Sequence, residues 1–289
     1  MVKANKTIQL SERAMLVQLK VSVWSGRTKD KKVSNEVKTF KKAEDDAGAW
    51  WTYLIPKKAI SQIWACEMYC RSLHYKLTLP WNDEGQRILS SDMYMDYMKQ
   101  MRKATQKFDE AVETFLKEYP TIMASARKRL GDLYDGKTLP SIDNIRGKFG
   151  HSVEVFPLPR SEDFRVNLNN DDVKEIQNQI TNSINSKMNE AMAELWNRLA
   201  QMVEKIAITL SEPKKIFRDS LISNLKEFCE LVPKLNITSN KELENMRKEI
   251  IEQLAELKPD NLRESKKERK EASQKAKDVL EKIKGFSSL

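Results

Sequence analysis

The longest regular pattern of hydrophobic positions in the chain runs from Asn170 to Glu212. Apolar residues recur there at steps of three or four, which keeps one stripe on one face of a helix for about eleven turns. The stripe consists of Val173, Ile176, Ile180, Ile184, Met188, Ala191, Leu195, Leu199, Met202, Ile206 and Leu210. Asn170, Asp171 and Asp172 are candidate N-caps, and Glu175 stands at the capping-box distance from Asp172. Because a typical globular helix has about eleven residues, we expect this helix to lie along a long partner.

A second run of the same spacing extends from Asp92 to Leu130. Its apolar stripe comprises Tyr94, Tyr97, Met101, Ala104, Phe108, Val112, Phe115, Tyr119, Ile122, Ala126 and Leu130. Pro120 lies inside the run and removes one backbone donor, so the helix either kinks or breaks there, and the continued stripe favours a kink. We expect the two runs to pair as a long antiparallel, coiled-coil-like helical stalk.

Short segments with strictly alternating apolar and polar residues predict a small antiparallel sheet. These segments are Val17–Val23, Tyr75–Leu79, His151–Phe156 and Phe164–Leu168. Between them, Arg27 to Lys32 is interpreted as a charged turn, Val33 to Ala43 as a weak helix, and Pro56 to about Leu73 as a helix.

The chain after Pro213 is predicted to be helical again. Ser239 and Glu242 have capping-box spacing, and a heptad-like stripe follows at Leu243, Met246, Ile250, Leu254 and Leu257. Such a stripe indicates a helical pair or an oligomer seam, although two or three heptads also occur in ordinary helix bundles.

Together these patterns predict an α+β fold that is mainly α. The predicted head is residues 1–92 and 131–170, the stalk is residues 93–130 and 171–212, and the C-terminal helical segment is residues 213–289.

Composition narrows the class of protein. Of the 289 residues, 40% are apolar and 32% are charged, which is typical of a helix-rich globular chain. No apolar run approaches the ~20 residues that span a bilayer, and the N-terminus shows no signal-peptide pattern. Three cysteines do not make a disulfide framework. We therefore expect a cytosolic protein with reduced thiols.

The net charge of +9 is unevenly distributed. Residues 1–42 contain eleven lysine and arginine residues and three acidic residues, a net charge of +8, whereas residues 171–212 carry −3. A basic end on a nearly neutral body indicates a phosphate-rich or acidic partner, or a surface that maintains solubility.

The sequence holds few residues suited to catalysis. It has two histidines and no Gly-rich phosphate loop, zincin helix or nucleophile elbow. Cys66, Cys70 and His74 are spaced four apart, and His151 is a conceivable fourth zinc ligand, but free cysteines are common core residues. We favour the core interpretation and predict no metal, no cofactor and no enzymatic activity.

Aromatic residues beside cations offer a different kind of site. Trp24 precedes the basic turn, and Trp81 follows Pro80. Either tryptophan could stack on a base or close one end of the sheet. The candidate nucleic-acid-binding residues are Trp24, Arg27, Lys29, Lys31, Lys32, Trp81 and Arg87.

Several of these segments also resemble one family of tailed-phage and mobile-element proteins of unknown function, over about residues 15–180. The segments are Val21–Arg27 with Asp30–Val33, His74-Tyr75 with Thr78–Trp81, Asp83, Gly85 and Arg87, Phe115–Gly131, and Phe156–Pro159 with Asp163–Val166. The family pattern has alanine at the positions of Cys66 and Cys70, which further weakens the metal interpretation.

The resemblance implies a phage or integrative-element protein acting in the bacterial cytoplasm, near replication, recombination and AAA ATPase genes. No catalytic residue follows from it. Our first functional hypothesis is a non-enzymatic, homo-oligomeric scaffold or adaptor in DNA transactions or host-defence interference, whose partner is a phage or host protein such as an AAA ATPase. The alternative is a protein that binds DNA or RNA directly through the basic N-terminal turn.

Overall fold

The structure is a computed structural model that describes Leu10 and residues 12–136, 139–164, 169–212 and 214–287. The elements in chain order are β1 (Ala14–Ser22), β2 (Arg27–Asp30), α1 (Lys31–Lys41), β3 (Trp50–Tyr53), α2 (Lys57–Leu77), β4 (Leu79–Pro80), β5 (Gln86–Ser90), α3 (Tyr94–Leu130), α4 (Ile142–Arg146), β6 (Gly150–Pro157), α5 (Asn170–Ser211), α6 (Ser220–Leu235), α7 (Lys241–Ile250), α8 (Pro259–Glu264) and α9 (Lys266–Ser287). Single 3-10 turns occupy Ser91–Met93, Gly131–Leu133 and Ser161–Asp163, and a π turn occupies Ile251–Ala255.

The mainly α, α+β fold class is confirmed, with long helices and a small antiparallel sheet. The chain forms two compact units. Unit 1 takes the described residues of Met1–Gln18, Tyr75–Asp96 and Glu154–Leu289, and unit 2 takes Leu19–His74 and Tyr97–Val153. This division differs from the predicted head, stalk and C-terminal segment, because unit 1 contains residues from all three.

In unit 1 the long helix α5 packs along α9. The predicted partner, α3, has most of its length in unit 2, and its pairing with α5 stays a prediction. Small residues explain why α9 fits: Ala272 and Ala276 are buried, and the Ser273 hydroxyl donates to the Ala207 carbonyl of α5 at 3.0 Å. A long stripe requires a long partner, but it does not specify which one.

Both ends of α5 are satisfied by side chains. At the N-terminus the cap is Asn169, one residue before the predicted candidates, and its Oδ1 accepts from the N–H groups of Asp171 and Asp172 at 3.1 and 2.9 Å. At the C-terminus the buried Arg269 guanidinium donates to four backbone carbonyls. These belong to Thr209, Leu210, Glu212 and Lys215, at 3.0, 3.3, 2.6 and 2.8 Å. A cation at this position also complements the negative end of the helix dipole.

In unit 2 the helix α3 carries the aromatic core. Phe108, Phe115 and Tyr119 are buried along one stripe, and the helix continues through Pro120 without a break. The Tyr119 hydroxyl donates to the Pro140 carbonyl at 2.9 Å, and burial raises the pKa of Tyr119 to about 12.

The four-stranded sheet has the order β4-β5-β1-β6. Strands β1 and β5 are antiparallel, with Ala14 opposite Ser90 and Gln18 opposite Gln86. The predicted strands at Val17–Val23 and His151–Phe156 are confirmed as β1 and β6. Tyr75–Leu77 is instead the end of α2, so the strand predicted at Tyr75–Leu79 is wrong except at Leu79.

Two further strand predictions also differ from the structure. Strand β5 was not predicted. In the predicted strand Phe164–Leu168, Phe164 is not in a strand, and residues 165–168 lie outside the described residues.

The C-terminal helices occur as predicted, with shifts at their ends. Helix α6 continues through Pro233, and the cap of α7 is Asn240, whose side chain accepts from the Leu243 N–H at 2.9 Å, rather than Ser239. In the proposed oligomer stripe, the chain itself buries four residues and half-buries Leu257. The buried four are Leu243, Met246, Ile250 and Leu254. These side chains are therefore core residues of unit 1 and are not available as an oligomer seam.

Candidate nucleic-acid interface

Strands β2 and β3 form a separate two-stranded antiparallel sheet in unit 2. We predicted a charged turn here, and that prediction is wrong: Arg27–Asp30 is a strand, and Lys31 begins α1. In this register Arg27 is opposite Tyr53 and Lys29 is opposite Trp51. Because side chains alternate along a strand, these four residues share one face of the sheet. We call this set, Arg27, Lys29, Trp51 and Tyr53, the cationic aromatic face.

The cationic aromatic face presents aromatic rings with cations positioned over them. The Arg27 guanidinium carbon lies 5.0 Å from the centre of the Trp51 ring, and Lys57 Nζ lies 4.4 Å from the centre of the Tyr53 ring. Trp51 is 46% exposed although its rings are large and apolar. The Arg27 and Lys29 side chains are also exposed. The face therefore offers solvent an exposed aromatic side chain in contact with a cation.

The opposite side of this sheet holds it together. Thr52 is buried, and its hydroxyl donates to an Asp30 carboxylate oxygen at 3.3 Å. The other Asp30 oxygen caps α1 by accepting from the Val33 N–H at 3.0 Å. The buried Ser34 hydroxyl accepts from the Trp50 N–H at 2.9 Å. These bonds link both strands to the first turn of α1.

Two contacts join the sheet to the rest of unit 2. The Leu54 N–H donates to the Gly26 carbonyl at 2.8 Å, and the Arg129 guanidinium donates to the Tyr53 carbonyl at 2.6 Å. Gly26 has φ +65°, and a Cβ there would lie 2.9 Å from Ile55 Cγ1. A glycine is thus required where the chain turns from β1 into β2, so Arg27 enters the sheet at a fixed position.

Helix α1 adds exposed cations and apolar groups. Lys31 and Lys32 are exposed in its first turn. Val37 and Phe40 are 45% and 81% exposed, with Lys41 Nζ 5.4 Å from the Phe40 ring centre. Four of the five predicted basic residues, Arg27, Lys29, Lys31 and Lys32, are therefore brought together on β2 and the start of α1.

Trp24 does not belong to this surface. It is 8% exposed and packs in the core of unit 2, with its ring centre 6.5 Å from that of Phe115 and 6.2 Å from that of Tyr119. Trp24 is therefore a core residue and is not available to stack on a base.

Trp81 and Arg87 belong to unit 1 and are not part of the face. Trp81 is 7% exposed. The Lys187 ammonium group lies 5.6 Å from the centre of the Trp81 ring and donates a hydrogen bond to the Trp81 carbonyl at 3.1 Å. Arg87 donates to the Thr78 hydroxyl at 2.7 Å and stacks 4.6 Å from the Tyr75 ring centre. Both side chains serve local packing.

The cysteine and histidine residues do not converge. Cys66 and Cys70 are buried, and burial raises the pKa of the Cys70 thiol. His74 Nδ1 is 2.7 Å from the Tyr97 hydroxyl, whereas His151 Nε2 is 3.0 Å from an Asp109 oxygen. Among the residues that the structure describes, no group of three or more His, Cys, Asp or Glu side chains is placed to hold a metal ion.

Sequence reasoning missed the aromatic half of the face. Trp51 and Tyr53 lie between the two helices predicted at Val33–Ala43 and Pro56 to about Leu73, and Lys57 lies at the start of the second. The sequence signal that could have indicated these residues is the Trp50-Trp51 pair, which follows a lysine-rich segment by a few positions.

Comparison with known proteins finds no matching protein family, curated protein or solved structure. The resemblance to phage and mobile-element proteins therefore stays a prediction. Within the described part of the chain, no helix is both long and apolar enough to cross a membrane.

Proposed function

We propose that this protein is a non-enzymatic binder of single-stranded nucleic acid and that the cationic aromatic face is its binding surface. The observation that carries the proposal is the exposure of Trp51, at 46%, with Arg27 over its ring and Lys29 opposite it on the neighbouring strand. Aromatic side chains that stack on bases, combined with cations that contact phosphates, are typical of proteins that bind single strands without sequence preference.

The spacing of the rings supports a single strand rather than a duplex. Trp51 and Tyr53 are two residues apart on one strand, which places their Cα atoms about 7 Å apart. Bases can stack on such rings only when they are not already stacked in a duplex. The face therefore suits neighbouring bases of an extended strand.

The cations on and beside the face set the expected salt dependence. Arg27, Lys29 and Lys57 can contact phosphates, and each phosphate contact on a single strand contributes about −0.7 to the slope of log K against log salt. Three contacts give a slope of about −2, so affinity should fall about 20-fold between about 50 and 200 mM salt. Lys31 and Lys32 at the start of α1 would steepen this dependence.

A charge-reversal variant tests the proposal. Arg27→Glu combined with Lys29→Glu should weaken binding to an oligothymidylate and reduce the salt slope by about 1.4, because two phosphate contacts are lost. The matched control is Lys99→Glu with Lys103→Glu, which makes the same change in net charge at two exposed positions of α3. Equal losses in both variants would show that net charge alone drives binding, and the proposed surface would be wrong.

A second candidate function is the scaffold or adaptor role, which the exposed apolar side of α1 favours. Val33, Val37 and Phe40 have the i, i+4, i+7 spacing of a helix that docks in a groove, and Val37 and Phe40 are exposed. Static light scattering tests it: a mass above 33.6 kDa that falls to the monomer value in Val37→Asp with Phe40→Asp would support self-association through this helix.

The resemblance to phage and mobile-element proteins supports both candidates. Single-stranded intermediates accompany replication and recombination, and an AAA ATPase is a natural partner for either a strand-binding protein or an adaptor. We place the proposed activity in the bacterial cytoplasm on that ground.

A further inference from the structure

A cleft of about 470 Å³ adjoins the cationic aromatic face. Arg27 and Tyr53 line it from the face, Val21, Val23 and Trp64 form apolar walls, and Glu67 contributes a carboxylate. Its volume lies in the lower part of the range of small-molecule sites, about 300–1,000 Å³. Ser22 and Ser25 also line this open cleft, so a flat heterocycle can enter it, contact apolar and polar side chains and meet the Glu67 carboxylate.

The Glu67 carboxylate is held in position by Arg71. The Arg71 Nε group donates to Glu67 Oε1 at 2.9 Å, and its terminal nitrogen donates to the Val21 carbonyl at 3.0 Å. The Glu67 side chain is 22% exposed, and no hydrogen bond joins Oε2 to another described residue. Glu67 therefore lines the cleft with a carboxylate that Arg71 orients and that keeps free acceptor positions on Oε2 and on the second lone pair of Oε1.

The chemistry of the Glu67 carboxylate selects among the four bases. An ionised carboxylate only accepts hydrogen bonds. On its Watson–Crick edge, guanine presents two adjacent donors, N1–H and the N2 amino group, whereas adenine and cytosine each place an acceptor beside a single donor group. Thymine presents one donor between two acceptors. Guanine can therefore present two donors to the carboxylate, whereas each of the other bases would place an acceptor against one of its oxygens.

We propose that this cleft takes a guanine base, with Glu67 accepting from its Watson–Crick edge and Arg27 contacting the adjoining phosphate. The inference rests on the proposed function, since Arg27 belongs to both the cationic aromatic face and the cleft. The same chemistry would also recognise free guanosine monophosphate. The cleft would then add a base preference to a surface that otherwise binds strands of any sequence.

The test compares fluorescein-labelled oligothymidylates of eight nucleotides that carry one central guanine, adenine, cytosine or thymine. By fluorescence anisotropy, the wild-type protein should bind the guanine strand about tenfold or more tightly than the thymine strand. Glu67→Gln replaces an acceptor oxygen by a donor amide, so this ratio should fall towards one. Glu118→Gln, on an exposed part of α3, makes the same charge change and should keep the wild-type ratio.

The outcomes separate the two proposals. If the wild-type protein binds none of the strands, the proposed function and the cleft both fail. If it binds all four strands equally, or if Glu67→Gln keeps the guanine preference while circular dichroism shows a folded protein, only the cleft inference is overturned. Competition with guanosine monophosphate tests whether the cleft takes a free nucleotide as well as a base within a strand. If this nucleotide displaces the guanine strand and thymidine monophosphate does not, the cleft binds the free nucleotide too.

Discussion

Replacement of Trp51 by alanine should weaken single-strand binding while leaving the protein folded. The indole is 46% exposed, and the Arg27 guanidinium carbon lies 5.0 Å from its ring centre. An exposed cation–π contact contributes about 0.5–1 kcal/mol, so the loss of fold stability should be small. The loss of one stacked base costs about 1–3 kcal/mol of binding free energy. This range corresponds to an increase in Kd of about 5- to 150-fold.

The assay is a fluorescence anisotropy titration of an eight-nucleotide oligothymidylate at about 50 and 200 mM salt. Trp51→Ala removes no charge, so Kd should rise at both salt concentrations while the salt slope stays at the wild-type value. Phe40→Ala is the matched control, because Phe40 is an exposed aromatic residue of the same unit, 81% exposed, outside the cationic aromatic face. A change in Kd below twofold for Trp51→Ala, or an equal change for Phe40→Ala, would refute the stacking argument.

Two further predictions concern the cores of the units. Ile250→Asp places a carboxylate at a fully buried position of unit 1 and should lower the unfolding temperature strongly in a thermal melt, whereas Leu257→Asp, at a half-buried position, should lower it less. If the Ile250→Asp protein instead stays folded and its solution mass changes, the predicted oligomer seam at this stripe would be supported. Burial raises the pKa of Tyr119 to about 12, above that of an unfolded tyrosine, so its stabilising contribution is fully present below about pH 10 and is lost as pH rises to about 12. Denaturant titrations should therefore show a loss of stability over this range that is smaller in Tyr119→Phe; an identical loss in both proteins would contradict this assignment.

The helical part of the fold was predictable because long stripes at helical spacing need only local reasoning. Helices α3 and α5 were both anticipated, and their buried residues match the predicted stripes closely. The partner of α5 was not predictable by the same means. Helix α9 looks weakly apolar in sequence, yet its alanines allow the close approach that larger side chains would prevent.

The strands of the candidate interface escaped prediction for a different reason. Arg27–Asp30 contains no apolar residue, so the period of two that marks a half-buried strand is absent. Its pairing with Trp50–Tyr53 depends on contacts across a whole helix, which a local pattern does not encode. The basic half of the interface could be read from composition, whereas its aromatic half required the register between the two strands.

The tryptophan residues show the same limit. Trp24, Trp51 and Trp81 all lie near charged residues in sequence, and their exposed fractions of 8%, 46% and 7% separate the core residues from the surface residue. Burial is a property of the tertiary structure, so sequence proximity to cations could not distinguish them.

The most direct test of the account is the affinity of the wild-type protein for an oligothymidylate, measured at about 50 and 200 mM salt beside a duplex of the same length. If the cationic aromatic face binds single strands, the protein should bind the oligothymidylate at the lower salt concentration, lose about 20-fold in affinity at the higher one, and bind the duplex more weakly. Absence of single-strand binding at about 50 mM salt, or an affinity that salt does not change, would contradict a nucleic-acid role for the cationic aromatic face.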